Sequence, residues 1–333
     1  MKKDRLFTIA GGSGFIGTRL CHLMAELGLK FEIVDLKLSQ SFPDRSRIAD
    51  IRDIEALRGS VTGNAIINLA AVHRDDVRDR SQYYTTNVDG TRNLCILATE
   101  RGIDTIVFTS TVAVYGFCPP DTDEKGATNP FNDYGRSKLE GERVLETWHA
   151  QAPETRNLAI LRPTVVFGEG NRGNVYNLLN QIAQGRFVMV GNGENRKSMA
   201  YVGNVAQYSL YAATHTQGFS RVNYVDKPDF TMNALVRKVR DVLEGTPGIG
   251  LRLPYSIGLG LGYAADGVAR VSGRTLPISS IRVKKFCATT CFSSAAHDQP
   301  GFVAPFTLEE GLACTLDAEF QNPDPAREIF FTE

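Results

Sequence analysis

Seven residues near the start of the chain, Gly11-Gly12-Ser13-Gly14-Phe15-Ile16-Gly17, restrict its fold more than any others. They follow a short apolar run (residues 6–10). They lead into residues 15–27, where Phe15, Ile16, Leu20, Leu23, Met24 and Leu27 recur at helical spacing. Strand, glycine turn and helix in that order form the opening unit of a dinucleotide-binding α/β sheet. The turn satisfies Gly-x-Gly-x-x-Gly at positions 12, 14 and 17, and Gly-x-x-Gly-x-x-Gly at 11, 14 and 17. Glycine there permits the tight bend, a close backbone approach to a pyrophosphate, and packing of the helix on the strand. The helix N-terminus then presents free N–H groups and partial positive charge to the phosphates.

The same alternation continues downstream. Apolar runs at residues 31–36, 65–70, 105–111 and 158–166 are separated by helical patterns at 84–101 and 134–150. Continuous apolar strands between amphipathic helices indicate a parallel sheet covered on both faces. The expected fold class is therefore α/β, a Rossmann doubly wound parallel sheet with a smaller C-terminal substrate-binding lobe. Residues 1–170 are assigned to the NAD-binding domain and 171–333 to the second lobe, with a strand at 221–225 returning to the main sheet. Residues 204–214 and 231–243 read as helices. Residues 251–271 are apolar and glycine-rich, interrupted by Asp266 and Arg270, and read as a buried or partner-facing helix, with an interfacial membrane helix as the weaker alternative.

Charge and cysteine content narrow the function. Lys+Arg and Asp+Glu each total 37, so there is no electrostatic footprint for nucleic acid. No apolar run reaches the roughly 18 residues of a spanning helix, and the first residues do not resemble a signal peptide. Six cysteines without a CxxC pair read as reduced cytoplasmic thiols. Cys287 and Cys291 have no His or Cys cluster beside them in sequence, so no metal site is expected.

Candidate site residues cluster at strand ends. Asp35 closes the second strand, about 20 residues after the glycines, where an acid accepts hydrogen bonds from the adenosine ribose and repels the extra phosphate of NADP. Lys37 beside it leaves room for NADP. Asp50 and Ile51 suit a base edge and face, and Leu69, Ala70 and Ala71 supply the small strand end a cofactor needs. Thr111 ends the fourth strand-like run, with Ser110 as its substitute. Tyr134 and Lys138, four apart, share one helix face. A cation near a phenol favours tyrosinate, so Tyr134 is the candidate acid–base.

These residues resemble the extended short-chain dehydrogenase/reductase family, and within it the NAD-dependent nucleotide-sugar epimerases. Residues 11–17, Asp35, 68–71, Thr111, Tyr134-x-x-x-Lys138 and 161–168 fall in that family's order and spacing across nearly the whole chain. The resemblance implies that Tyr134 moves the sugar hydroxyl proton, Lys138 binds the nicotinamide ribose and tunes Tyr134, and Thr111 holds the reacting oxygen. The cofactor set becomes Gly11, Gly14, Phe15, Ile16, Gly17, Asp35, Asp50, Ile51, Leu69, Ala70, Ala71, Tyr134 and Lys138, holding NAD. Substrate contacts are expected from His73, Thr111, Asn174, Lys197 and Arg282, with His73 in the charged run 73–78. Arg196, Lys197 and Lys284 are equally well read as solvated surface cations. Val112 and Ala113 follow Thr111 where dehydratases resemble Thr-Asp-Glu, which disfavours dehydration and decarboxylation. What remains is a cytoplasmic 4-epimerase of a UDP-hexose or UDP-N-acetylhexosamine in polysaccharide precursor synthesis, working through a 4-keto intermediate as a homodimer. The alternatives are an NAD(P)H-dependent UDP-4-keto-sugar reductase, a hydroxysteroid-type dehydrogenase, or a non-catalytic dinucleotide sensor that would not need Tyr134 and Lys138 together.

Overall fold

The computed structural model describes residues 5–74, 77–246, 248–273 and 279–332. Asp75 and Asp76, part of the charged run, lie outside them. Among the described residues, seven strands form one parallel sheet. They are β1 (Leu6–Ala10), β2 (Lys30–Asp35), β3 (Ser46–Ile48), β4 (Ala65–Asn68), β5 (Thr105–Thr109), β6 (Asn157–Pro163) and a late strand, Phe219–Tyr224. The late strand, labelled β10 below, pairs with β6, and the spatial order is β10-β6-β5-β4-β1-β2-β3. The reversal of direction beside β1 and β4 opens a crevice at their carboxyl ends, the usual ligand position in such sheets.

Adjacent residues of a strand face opposite sides, which is why the central strands β1, β4 and β5 are mostly apolar along both faces. Ile9, Ile33, Ile67 and Val107 pack under α1 (Phe15–Glu26) and a later helix, Val202–His215. Val34, Ile66, Ile106 and Phe108 pack on the other side. That side is covered by α2 (Ile54–Ser60), α4 (Thr91–Arg101) and α5 (Asp133–Ala150), with the single turn α3 (Ser81–Tyr84) leading towards α4.

The second lobe is built from β7 (Val165–Phe167), β9 (Arg196–Tyr201) and β11 (Asp226–Thr231), with the two-residue pair β8 (Met189–Val190) and β12 (Arg252–Leu253). Around these sit α6 (Asn174–Ala183), α8 (Met232–Glu244), α9 (Tyr255–Ser272), α10 (Ser280–Cys287) and α11 (Leu308–Leu316). The helix Val202–His215, α7, belongs with the main sheet. The lobe boundary therefore does not fall cleanly at residue 170: β7 already pairs into the second lobe, whereas 202–224 complete the first.

The segment 251–271 is a helix, as read, but within the single chain it is not a buried one: among the residues of α9 whose burial is described, only Gly258 and Gly262 are buried. Those glycines let α9 pack closely, since a Cβ at Gly258 would meet Val190 and one at Gly262 would meet the Ser280 backbone. Its larger apolar side chains face outwards.

Candidate active site

The glycine turn is held by its neighbours. Gly11 has a positive φ of 79°, and a Cβ there would lie 2.5 Å from the Ala70 nitrogen. Gly17 packs against the turn, where a Cβ would meet the Gly11 carbonyl at 2.5 Å. Asp35 links turn and strand, its Oδ2 accepting from the Ser13 N–H at 2.9 Å and its Oδ1 from the Leu36 N–H at 2.7 Å. Asp50 grips Arg52 through both oxygens, at 2.6–3.0 Å, and this holds its carboxyl below the usual range.

These elements border a cleft of about 960 Å³. Its walls include Gly11, Gly14, Phe15, Ile16, Gly17, Asp35, Asp50, Ile51, Leu69, Ala70, Ala71, His73, Thr111, Tyr134, Lys138 and Asn174. Residues 163 apart in sequence, Gly11 and Asn174, are thus brought together. Lys197 and Arg282 are not among the lining residues. The Lys197 ammonium is committed to the Lys285 carbonyl at 2.8 Å and Thr290 Oγ1 at 3.2 Å, so it fastens β9 to α10. Arg282 lies exposed in the first turn of α10, whose N-cap is Ser279.

The reacting groups stand on one helix. Asn132 caps α5 by accepting the Gly135 N–H at 2.9 Å, which orients Tyr134 in the first turn. Tyr134 hydrogen-bonds with Thr111, whose Oγ1 also caps the short turn after β5 by accepting the Ala113 N–H at 3.1 Å. Ser110 is already committed to Glu142, which leaves Thr111 as the hydroxyl at the phenol. Burial pushes the Tyr134 phenol up to about 12, with the Thr111 bond opposing. Burial also pulls the Lys138 ammonium down to about 7, with the Glu142 carboxylate one turn on opposing.

Lys138 Nζ is buried over the Phe108 ring, 4.1 Å from its centroid, and makes no hydrogen bond to the described residues. A buried ammonium without a partner is costly, so its position makes sense if a ligand supplies the acceptors. Ribose hydroxyls fit that requirement. With the close approach that Gly11 and Gly17 permit and the carboxylate of Asp35, the cleft fits a dinucleotide.

Several features at and behind the cleft wall were not assigned a role from the sequence. Glu142 is fully buried and accepts from Arg162 Nε at 2.9 Å and Nη2 at 2.5 Å; Arg162 Nη1 in turn donates to the Tyr115 hydroxyl at 2.8 Å. The C-terminal segment crosses the cleft edge. Phe330 exchanges backbone hydrogen bonds with Gly170 (2.9 Å) and Arg172 (2.8 Å), and its ring lies 5.9 Å from that of Phe15. Glu328 sits beside Lys37 at 3.5 Å, its carboxylate oxygens buried without a hydrogen bond. The apolar cluster Ile329-Phe330-Phe331 in a polar tail was the available clue. Cys291 lies near Asp121 and Asp229, but Lys227 and Arg196 already balance those acids.

Comparison with known proteins agrees with this geometry. The model of the NAD dependent epimerase/dehydratase family matches residues 7–224, ending where the seven-stranded sheet is completed. The chain is 47% identical over 316 residues, 94% of each protein, to the N-acetyl-alpha-D-glucosaminyl-diphospho-ditrans,octacis-undecaprenol 4-epimerase of Escherichia coli O157:H7. It is 28% identical to the UDP-glucose 4-epimerase of Bacillus subtilis, over 92% of this chain and 94% of that one. The structure of the UDP-N-acetylglucosamine 4-epimerase from Bacillus cereus superposes with a TM-score of 0.74 at 17% identity, covering 98% of this chain and all of that one.

Proposed function

The chain belongs to the NAD-dependent epimerase/dehydratase family, and from that premise we propose that it inverts C4 of an N-acetylhexosamine linked through diphosphate to a polyprenyl lipid. The observation that carries the carrier assignment is the 47% identity, along almost the full length of both chains, to an epimerase of that substrate type. A UDP-linked sugar is the second reading, favoured by the likeness to UDP-glucose 4-epimerases. The cleft supports it less, because Lys197 and Arg282, expected to hold its nucleotide, do not line the wall.

The chain's own residues account for the proton chemistry. Tyr134 Oη takes the proton from the C4 hydroxyl and later returns it, while Thr111 holds that oxygen in line. NAD, when bound, would accept and return the hydride and, oxidised, would add positive charge near the pair. Lys138 would hold its ribose, and the Lys138 ammonium, with that charge, would lower the Tyr134 phenol from the high value burial gives it. The Phe15–Phe330 contact closes the edge of the cleft over the glycine turn, which favours retention of the dinucleotide through the ketone stage. Val112 and Ala113 offer no acid to expel water from that ketone.

The test incubates purified protein, without added cofactor, with radiolabelled N-acetylglucosaminyl-diphospho-undecaprenol in detergent, and with UDP-N-acetylglucosamine in parallel. Mild acid releases the sugar for chromatography. The reading expects N-acetylgalactosamine from the lipid-linked substrate and no net change in absorbance at the NADH band. Epimerisation of the UDP-sugar alone overturns the lipid carrier. Stoichiometric oxidation of NAD(P)H by a UDP-4-keto-sugar, with neither sugar epimerised, overturns the epimerase.

A further inference from the structure

Helix α9 carries an exposed apolar face that the reaction leaves unused. Ile257, Leu261, Ala264 and Val268 recur at i, i+4, i+7 and i+11, a single stripe along the helix. Such a stripe normally faces a core. Here Ile257, Leu261 and Val268 are 51, 52 and 56% exposed, and Tyr255, Tyr263, Leu251 and Ile281 are also exposed around them. An exposed apolar patch of this kind marks an interaction surface.

Its charge identifies the partner. The described residues of the segment 251–287 carry five cations (Arg252, Arg270, Arg282, Lys284 and Lys285) and one acid, Asp266, in a chain whose formal net charge is zero. Lys284 Nζ lies over the Tyr263 ring at 5.3 Å, placing charge at the edge of the apolar face. A second copy of the chain meeting this face symmetrically would set the cationic segment against itself. An anionic phospholipid surface accepts both the apolar stripe and the cations around it.

The face also leads to the cleft. Lys285, on α10, sits 5.6 Å from the centroid of Phe131. Phe131 lines the cleft and stacks on Phe117, which is 81% exposed, with centroids 4.9 Å apart. Among the described residues no helix is long and apolar enough to cross a membrane, so contact through this face would be peripheral.

We propose that α9 and α10 dock the protein on an anionic phospholipid bilayer and bring the Phe117–Phe131 rim of the cleft to the surface where a polyprenyl-linked sugar resides. The inference rests on the lipid-linked reading for its purpose, while the stripe and the charge stand without it.

Flotation of the full chain with vesicles tests this. The protein should float with phosphatidylcholine vesicles containing phosphatidylglycerol, bind pure phosphatidylcholine vesicles more weakly, and lose binding as salt rises. Leu261→Glu with Val268→Glu should lower binding by about tenfold or more, because two apolar side chains no longer enter the interface. The pair should leave the melting temperature unchanged, and also turnover of a water-soluble two-isoprene analogue. Arg270→Glu with Lys284→Glu should weaken binding mainly at low salt. Failure of the wild type to float with anionic vesicles, or equal flotation of the Leu261→Glu/Val268→Glu protein, overturns the proposal. So does a dimer that Leu261→Glu dissociates while vesicles are ignored. The two readings separate cleanly. Epimerisation of the lipid-linked sugar in detergent without flotation sinks only the docking face, whereas flotation with activity on UDP-sugars alone sinks only the carrier assignment.

Discussion

Changing Glu142 to Gln probes the wall behind the reacting pair. The carboxylate accepts two hydrogen bonds from Arg162, at 2.9 and 2.5 Å, and a third from Ser110 Oγ; Arg221 Nε lies 3.8 Å away. Gln keeps the shape but removes the charge and turns one oxygen into a donor that faces other donors. Removing one member of a buried ion pair costs about 3–5 kcal/mol. The acceptor that Gln retains places this change near the lower end, about 3 kcal/mol. Unfolding entropy of about 2.1 cal/mol/K per residue gives roughly 0.7 kcal/mol/K for 333 residues. The expected fall in Tm is therefore about 4 °C by calorimetry. A second readout separates this from simple loosening. Glu142 opposes the burial that pulls Lys138 down to about 7, so the variant lowers the Lys138 pKa further. The alkaline fall of turnover should then move to lower pH. A variant that melts with the wild type and keeps its pH–rate profile refutes the reasoning.

Three further outcomes follow from the site. Tyr134→Phe should keep the fold and bound dinucleotide while lowering turnover by roughly 10²–10⁴-fold, and near wild-type turnover would place the base elsewhere. Asp35→Ala should cost roughly 1.5–3 kcal/mol of NAD affinity by titration calorimetry. Part of that loss comes through the Ser13 N–H it releases, and an unchanged affinity removes Asp35 from the ribose site. Lys138 falls from its ordinary 10.5 to about 7, so between those values the unfolded chain holds a proton that the folded chain lacks. Its contribution makes stability rise with pH over that window, by at most about 1.4 kcal/mol per unit. The rise of Tyr134 from 10.0 to about 12 acts oppositely, but only above pH 10. Urea titrations at several pH values between 7 and 10 should show the increment in the wild type and not in Lys138→Met; identical slopes would mean the ammonium is not desolvated.

What the sequence disclosed was what local spacing determines. The glycine turn, Asp35 at a strand end and the four-residue step from Tyr134 to Lys138 each fix geometry within one or two elements, and all of them line the cleft. Strand β10 was legible too, because a short strand after a helix has few places in a parallel sheet. Lys197 and Arg282 were different. A cation in a loop pattern does not say whether its head reaches a ligand or, as with Lys197, a carbonyl 88 residues away. Glu142 was hidden for a related reason: on α5 it reads as one charge in a solvated face, and only the arrival of Arg162 from β6 makes it the buried anchor behind Lys138. The C-terminal segment depends on backbone pairing between Phe330 and residues 170–172, which no periodicity reports.

Helix α9 marks the limit most clearly. Its period predicts a helix with one apolar stripe, and Tyr255–Ser272 is such a helix. Period alone gives the direction of the stripe and not the medium beyond it, because a protein core and the acyl region of a bilayer reward the same spacing. What distinguishes them is the surrounding charge. A core-facing helix has its cations on the opposite, solvated side, whereas α9 has Gly258 and Gly262 on its packed side and lysine-rich α10 beside it. Read in that way, the glycines that bring α9 close to Val190 and Ser280 serve to leave its larger apolar side chains outside. A segment that looks like misplaced core in the sequence thereby becomes the face that the proposed bilayer contact would use.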